Sequence, residues 1–488
     1  MEVRDRYAPS PTGLQHIGGI RTALFNYLFA RSQGGAFILR LEDTDRTRFD
    51  EAFVQNLYSA FKWLGLTWDE GPYVQSERLP LYRKYAGELL KRGEAYYCFC
   101  SAGRLEEVRK AREAAHSSET GYDRRCRNIP AEEAARRAEA GEPYTIRLKI
   151  PLGERTRFAD RLLGEIEWKN DDVNPDPVLL KSDGFPTYHL ANVMDDHCMR
   201  ISHVLRAQEW LSSTPLHVIL YRAFGWEPPE FCHLPMVMGQ DGKKLSKRHG
   251  ATSIDEFRRQ GYLPDALLNY VALLGASYEE GKDIYTLEEL VQRFSLDKLT
   301  KAPAVFDYKK LEWYNGQYIR MQTDEALAAL ALPFAAEAGL FGEAGSEGTG
   351  EDRAVFTAAM PLIKERVSFL REIPGKLGYL FEDPPVPAAA EFIPKKLDLA
   401  AAVRLLEAGR DLVPGLAGLS DTQAETAVKK RAESEGVKIG DLLTPLRAAV
   451  TGARVSPPLF GSIRLLGEAR SLARVEAALN VLRSPSFL

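Results

Sequence analysis

The sequence has few of the features that mark specialised protein classes. Five cysteines in 488 residues are too few for a disulfide scaffold. No stretch approaches the roughly 20 apolar residues of a membrane helix, and the first residues lack the apolar core of a signal peptide. The net charge of −4 gives no global excess of positive charge for nucleic acid. We therefore expect a cytoplasmic protein without a membrane partner, in which local basic patches would meet any nucleic acid.

The pattern of apolar residues changes along the chain and indicates several domains, because 488 residues exceed what one hydrophobic core usually holds. Residues 1–94 and 178–250 alternate strand-like and helix-like stretches, which is typical of an α/β fold with a parallel sheet. Residues 95–177 interrupt this pattern with a mixed α+β segment, and the α/β pattern resumes at a predicted strand near Val178. Residues 251–320, 321–382 and 383–488 read as mainly helical, with prolines at the last boundary.

The first α/β unit contains a loop in a position suited to phosphate. Residues 3–8 read as a strand, residues 9–19 as a loop, and a helix follows from Ile20 to the glycines at 34 and 35. Residues 37–41 then read as a buried strand, directly followed by the acidic run 42–45. In parallel sheets, loops at the carboxyl ends of strands bind nucleotide phosphates. The order of elements therefore predicts a nucleotide site at this loop.

The loop contains His16, Ile17, Gly18 and Gly19 in succession. Glycines without β-carbons allow a base or ribose to lie against the backbone, and His16 can donate to a phosphate oxygen. A glycine turn with a surface histidine would give the same four residues. The motif alone does not decide between these two interpretations.

A basic stretch at residues 243–250 gathers cations around Ser246 on a turn that ends at Gly250. Cations on a mobile loop would stabilise the charge that develops on a leaving pyrophosphate. Lys247 is predicted to carry this role, with Lys244 and Arg248 assisting. A solvated basic turn is the alternative interpretation.

Together and in this order, the two motifs resemble the HIGH and KMSKS motifs of class I aminoacyl-tRNA synthetases. The chain is further similar to bacterial glutamyl-tRNA synthetases over nearly its whole length. The supporting segments are residues 41–45, 63–66, 188–192, 221–226, 306–307 and 313–316. The family motif usually ends in histidine where this chain has Gly19, a departure that is common in glutamyl-type members.

The resemblance implies an α/β Rossmann-type catalytic domain formed by residues 1–94 and 178–250 and split by an α+β insertion at 95–177 that binds the tRNA acceptor stem. A stem-contact domain at 251–320 and two all-α anticodon-binding bundles at 321–382 and 383–488 would follow. The implied reaction joins L-glutamate to the 3′ end of tRNA(Glu) through a glutamyl-adenylate, with ATP and Mg²⁺. Charging of tRNA(Gln) as well is left open, and family members are expected to be monomers.

The resemblance also implies two sets of contact residues. ATP would be bound by Ser10, His16, Gly18, Glu209, Trp210 and Lys247, and glutamate by Arg6, Ala8, Ser10, Glu42, Tyr188, Asn192 and Arg206. Glu42 would hold the ammonium group and the two arginines the carboxylates, although which arginine takes the side chain is left open. Arg6, Glu42 and Arg206 are each predicted at the carboxyl end of a strand, so they can converge. Without the motifs, the arginines would read as ordinary strand-end residues.

The insertion carries a candidate zinc site. Cys98, Cys100 and Cys126 could supply three thiolates, and Tyr122 stands four residues before Cys126 in a spacing like that of some zinc-bearing relatives. Asn128 stands where other relatives have a histidine. Three cysteines in a loop-rich segment without metal is the alternative interpretation. Cys198 and Cys232 lie in apolar surroundings and are predicted to belong to the core.

Arg366 and Arg447 align with positions at which relatives read the anticodon, although most arginines on such helices are solvated.

Several other protein classes are alternative interpretations of the sequence. Glutaminyl-tRNA synthetases typically have β-barrel anticodon domains, a short paralogue that glutamylates a tRNA base lacks the helical half, and a small nucleotidylyltransferase would be one domain. A non-catalytic tRNA-binding protein is the alternative of another class. The intact residues that count against it are His16, Glu42, Arg206 and Lys247.

Overall fold

A computed structural model of the chain describes residues 2–45, 47–116 and 121–484, and of Lys247 the backbone only. The chain divides into two compact units, one comprising Met1–Phe257 and Leu267–Tyr308, the other Arg258–Ala266 and Lys309–Leu488. The strands are β1 Arg4–Tyr7, β2 Ala36–Leu41, β3 Glu70–Val74, β4 Ala95–Cys98, β5 Thr145–Leu148, β6 Arg155–Asp160, β7 Gly164–Lys169, β8 Val178–Leu180, β9 His203–Ala207, β10 Glu230–Leu234, β11 Val237–Met238 and β12 Ala304–Val305.

Twenty helices are assigned within the described residues. The first ten are α1 Ile17–Ser32, α2 Glu51–Leu64, α3 Leu79–Arg92, α4 Ala102–Ala114, α5 Ala131–Glu139, α6 Tyr188–Cys198, α7 Thr214–Phe224, α8 Ile254–Gln260, α9 Pro264–Ala272 and α10 Leu287–Arg293. The others are α11 Tyr308–Met321, α12 Asp324–Glu337, α13 Gly350–Ala358, α14 Met360–Ile363, α15 Ile373–Phe381, α16 Leu399–Leu416, α17 Asp421–Ser434, α18 Ile439–Thr451, α19 Leu459–Leu466 and α20 Glu468–Leu482. No helix in the described part of the chain combines the length and the apolar character needed to cross a bilayer.

The first unit is built on parallel strands in two halves. Strands β1, β2 and β3 pair in parallel on one side, and β9, β10 and β6 pair in parallel on the other, with β7 antiparallel at the edge. The halves meet beside β1, where the backbone N–H of Ser202 donates to the carbonyl oxygen of Arg4 over 3.0 Å. The predicted α/β fold is confirmed. Strand order reverses at β1 and β9, which is where such sheets bind ligands.

Local signals explain how the helices around this sheet begin and end. Helix α1 begins at Ile17, three residues before the predicted start at Ile20, because the His16 side chain caps it by accepting from the Gly19 N–H. Helix α7 ends at Gly225, whose φ of 70° is left-handed and suits a glycine at the helix end. Both ends are fixed by residues within one turn of the boundary.

Three predictions about strands and core residues were wrong, and one strand was missed. The apolar residues at 231–238 predict one strand before the basic loop, whereas the structure has two, β10 and β11. Strand β8 at Val178 pairs with β5 in an antiparallel sheet instead of resuming the parallel one. Strand β6 was not predicted, because its buried face includes Asp160, which does not count as a core residue in an apolar pattern. Cys198 is exposed at the end of α6, whereas Cys232 is buried as predicted.

The second unit is helical in its described residues, as the sequence predicted. Several of its helices begin with side-chain caps, among them α12 at Thr323 and α17 at Ser420. No helix spans the proline-rich stretch between α15 and α16. Asp383 in that stretch accepts from Arg470 over 2.8 Å and from Arg474 over 2.7 Å, so it is tied to α20.

Candidate active site

A cavity of about 720 Å³ lies at the carboxyl ends of β1 and β9. Its volume is ordinary for a small-molecule site. The predicted site residues that line it are Arg6, Ala8, Ser10, His16, Gly18, Glu42, Tyr188, Asn192, Arg206, Glu209, Trp210, Lys244 and Ser246. Arg248 is not among the lining residues, and the side chain of Lys247 lies outside the described part of the structure. The two motifs and the scattered pocket residues therefore meet at one place.

His16 presents one ring nitrogen to the cavity. Its Nδ1 accepts from the backbone N–H of Gly19 over 3.3 Å, so a neutral ring carries its proton on Nε2. Surrounding protein atoms and the ammonium of Lys244 lower the pKa of His16. A neutral His16 with a fixed tautomer can donate from Nε2 to a phosphate oxygen at the start of α1.

Gly19 has a steric reason to replace the usual histidine. A β-carbon at this position would lie 2.8 Å from the hydroxyl oxygen of Tyr7. That hydroxyl donates to Gln15 Oε1 over 2.9 Å and is buried beneath the loop. The pair of Tyr7 and Gly19 thus sets the shape of the loop.

The basic loop begins after β11 and is held by acidic residues. Lys244 Nζ lies 2.5 Å from Glu209 Oε2. His249 accepts from the backbone N–H of Ser246 over 3.0 Å, and its other nitrogen lies 3.0 Å from Asp241 Oδ1. Arg248 is also near Asp241, at 3.6 Å. The loop is therefore positioned by one pair that faces the cavity and one network on its outer side.

Beneath the cavity, Arg40 joins several of the predicted glutamate contacts. Its guanidinium is fully buried and donates to Glu42 over 3.1 Å, to Asn192 over 3.0 Å and to Asp196 over 2.7 Å. Asp196 also accepts from Arg6 Nε over 3.0 Å. Burial raises the pKa of Glu42, and the neighbouring Arg40 and Arg6 oppose that rise. The positive charge of Arg6 is thus already matched by an internal carboxylate.

Arg206 has a different environment. Its hydrogen-bond partners are all uncharged, and no carboxylate lies within ion-pair distance among the described residues. Those partners are His233 Nε2 at 3.0 Å, Tyr188 Oη and His217 Nδ1 at 3.3 Å each, the Trp210 carbonyl at 3.3 Å and Thr214 Oγ1 at 2.7 Å. Burial lowers the pKa of Arg206. A buried guanidinium without a matching anion is suited to bind a carboxylate ligand.

The cysteines of the insertion also converge. The Sγ atoms of Cys98, Cys100 and Cys126 lie within 4.8 Å of one another. The Tyr122 hydroxyl lies 3.3 Å from the sulfur of Cys98 and 3.6 Å from that of Cys100. The three thiols are donors that zinc prefers, and the Tyr122 phenol, an unusual zinc ligand, stands where a fourth donor of a tetrahedral site would be.

The predicted anticodon residues lie in the second unit. Arg447 on α18 donates to Ser456 Oγ and to the Pro457 carbonyl, each over 2.9 Å. Burial lowers the pKa of Arg447, and the positive charge of Arg366 lowers it further. Arg366 itself is exposed. The structure therefore brings these two arginines near each other.

Sequence reasoning missed the residues that hold the pocket from beneath. Arg40 is a charged residue within an apolar strand, and this pattern indicates a buried ion pair. Asp196 lies one helical turn after Asn192 on α6, so the two share a face. His233 gave no local signal, because its contacts to Arg206 and Asp160 come from other strands.

Comparison with known proteins agrees with this geometry. Residues 2–313 match the family described as tRNA synthetases class I (E and Q), catalytic domain, and residues 326–479 match an anticodon binding domain. A glutamate–tRNA ligase of Treponema denticola is 55% identical over 98% of this chain and 99% of its own length. One of Borrelia recurrentis is 49% identical over 99% and 96%, respectively.

A solved structure gives the same result. The crystal structure of a glutamate tRNA ligase from Elizabethkingia meningosepticum, in complex with its amino acid, aligns with a TM-score of 0.85 at 33% identity. The alignment covers 99% of this chain and 100% of that one. The catalytic and anticodon-domain matches, the full-length relatives and the shared fold agree, and the chain belongs to the glutamate–tRNA ligase family of class I aminoacyl-tRNA synthetases.

Proposed function

We propose that this protein ligates L-glutamate to the 3′ end of tRNA(Glu) at the expense of ATP. The observation that carries the proposal is the charge arrangement of the cavity. Arg206 presents a buried positive charge whose partners are neutral, and Glu42 presents a carboxylate in the same cavity. An amino acid with an acidic side chain supplies the complementary groups, namely carboxylates and an ammonium.

The two arginines of the pocket are not equivalent. Arg6 is paired with Asp196, whereas Arg206 is not paired with a carboxylate in the described residues. The α-carboxylate must stay reactive, so we assign Arg206 to the side-chain carboxylate, which takes no part in bond making. Glu42 holds the ammonium. Burial raises the pKa of Glu42, and the guanidinium of Arg40, 3.1 Å away, favours the charged form that binds an ammonium.

In the first step, an oxygen of the α-carboxylate forms a bond to the α-phosphorus of ATP, and the bond from that phosphorus to the pyrophosphate oxygen breaks. Mg²⁺ bound to ATP would help to neutralise the charge of the polyphosphate. His16 donates from Nε2 to a phosphate oxygen, while Lys244 and Lys247 stabilise the growing negative charge of the pyrophosphate. The products are glutamyl-adenylate and pyrophosphate.

In the second step, the 2′-hydroxyl of the terminal adenosine of tRNA attacks the carbonyl carbon of the adenylate. The bond between that carbon and the phosphate oxygen breaks, AMP leaves, and the hydroxyl proton is released. No side-chain nucleophile is required, because both steps depend on positioning and on charge stabilisation. Lys244 pairs with Glu209 in the structure, so we expect the phosphates of ATP to compete with that carboxylate for its ammonium.

Zinc is proposed as a structural ion of the insertion, held by Cys98, Cys100, Cys126 and Tyr122. It would fix the fold of this segment and take no part in either step. Arg366 and Arg447 are proposed to contact the anticodon, because arginine donors can read base edges. We further propose that the protein is a cytoplasmic monomer with the domain boundaries predicted above. Whether tRNA(Gln) is a second substrate is decided by the charging test below.

The test is charging of purified tRNA(Glu) and tRNA(Gln), separately, with labelled glutamate and ATP. Charging of tRNA(Glu) is the expected result, and charging of both would identify an enzyme that also makes Glu-tRNA(Gln). The matched variant is Arg206→Ala, which should raise the KM for glutamate sharply and leave the KM for ATP nearly unchanged. Failure to charge either tRNA would contradict the proposed activity, and equal use of glutamate by the variant would contradict the role of Arg206.

A further inference from the structure

Behind Arg206 lies a chain of buried polar groups that neither motif contains. Arg206 Nε–H donates to His233 Nε2 over 3.0 Å, and His233 Nδ1 lies 2.6 Å from Asp160 Oδ2. His233 and the side chain of Asp160 are entirely inaccessible to solvent. These three residues form a continuous series of hydrogen bonds from a carboxylate through an imidazole to a guanidinium.

The position of the imidazole proton follows from the partners. A guanidinium has donors and no acceptor, so His233 Nε2 must be unprotonated. The ring proton is therefore on Nδ1 and is donated to Asp160. Burial lowers the pKa of His233, which keeps the ring neutral beside the charged Arg206. The opposite tautomer would direct an N–H group at the Arg206 N–H group.

Asp160 is held firmly enough to select this tautomer. Its Oδ2 also accepts from the backbone N–H of His233 over 3.0 Å. Its Oδ1 accepts from the backbone N–H groups of Leu162 over 3.0 Å and Leu163 over 2.8 Å. Every polar neighbour of this carboxylate is a donor, so an amide in its place would direct its own N–H groups at one of them.

We propose that Asp160 and His233 are positioning residues that fix the guanidinium of Arg206 for the side-chain carboxylate of the amino acid, an inference that rests on the proposed function. Asp160 ends β6 and is paired in register with Phe231 of β10. Strand β6 lies in the segment predicted to bind the acceptor stem. That segment thus supplies Asp160, which supports the glutamate pocket through two successive hydrogen bonds, the first with His233 and the second between His233 and Arg206.

The test is the steady-state kinetics of Asp160→Asn at saturating tRNA(Glu), with glutamate and ATP varied in turn. Losing a hydrogen bond that orients a charged group should raise the KM for glutamate about tenfold to a hundredfold. The KM for ATP should stay near the wild-type value. Glu230→Gln is the matched control, because Glu230 lies on the same strand as His233, near His203 and outside the cavity.

A second pair of variants decides the question if Asp160→Asn does not fold. His233→Gln keeps an acceptor for Arg206, whereas His233→Leu removes it, so the glutamine variant should retain the lower KM for glutamate. Equal KM values for glutamate in these two variants, or an unchanged KM in a folded Asp160→Asn variant, would overturn the inference. A wild-type protein that does not use glutamate would instead overturn the proposed function itself.

Discussion

Asp5 provides a stability prediction that does not depend on the proposed activity. It lies in the middle of β1, its residue is 0% exposed, and neither carboxyl oxygen has a hydrogen-bond partner among the described residues. Burial raises the pKa of Asp5 well above its ordinary value. We therefore expect Asp5 to destabilise the first unit, and Asp5→Val to stabilise it.

The magnitude has two parts. Removing a buried polar group without partners should contribute about 1–3 kcal/mol at any pH, and valine suits a buried strand. The second part depends on pH because the native state keeps a proton on Asp5 that the unfolded state releases. Stability from this proton is complete below the unfolded pKa of roughly 3.9 and is lost as the pH rises through the native pKa. The advantage of the variant should therefore grow by up to about 1.4 kcal/mol for each pH unit in this window.

Urea unfolding of wild type, Asp5→Val and Asp5→Asn, followed by tryptophan fluorescence at several pH values, measures both parts. Trp313 is the one tryptophan of six that lies in the second unit, so the signal mainly reports the first. Asp5→Asn is the matched control, since it keeps the shape and removes the titration. A valine variant less stable than wild type, or an advantage that does not change with pH, would refute this account of Asp5.

The other predictions concern the proposed site. Lys247→Ala should slow ATP–pyrophosphate exchange in the presence of tRNA, because the variant loses about 3 kcal/mol of transition-state stabilisation. An unchanged rate would exclude this role of Lys247. Cys100→Ser should remove zinc from the purified protein, as measured by elemental analysis, whereas full retention would exclude this ligand. Arg366→Ala should reduce the preference for tRNA(Glu) over tRNA(Gln) in charging assays, and an unaltered ratio would contradict its part in anticodon reading.

Features that depend on neighbours in sequence could be predicted, and features that depend on distant partners could not. The loop with His16 and the start of the helix that follows it are encoded within a few residues, and the structure has both. The parallel pairing of β6 depends on β10, more than 60 residues later, as the register of Asp160 and Phe231 shows. A pattern read over a short stretch of sequence therefore cannot predict this pairing.

The same distinction separates the contacts of the pocket from its support. A motif can indicate that Arg6, Glu42 and Arg206 approach one cavity, because each lies at a strand end. Their charge states depend on residues beneath them, which reach the site from elements far apart in the chain. Arg40 is the clearest case, since its partners Asn192 and Asp196 lie on α6.

The two arginines of the cavity, Arg6 and Arg206, should contribute differently to specificity, because their charge environments differ. Arg6 and Arg40 share Asp196, and Arg40 also contacts Glu42, so these four groups largely neutralise one another. Arg206 contacts the imidazole of His233. The nearest negative charge along this series is the carboxylate of Asp160, which contacts the other nitrogen of that imidazole. An incoming carboxylate therefore meets one positive charge that the protein has not neutralised nearby, and a neutral amide side chain would leave it unmatched. Discrimination between glutamate and glutamine should thus depend more on Arg206 and on the residues that orient it than on Arg6.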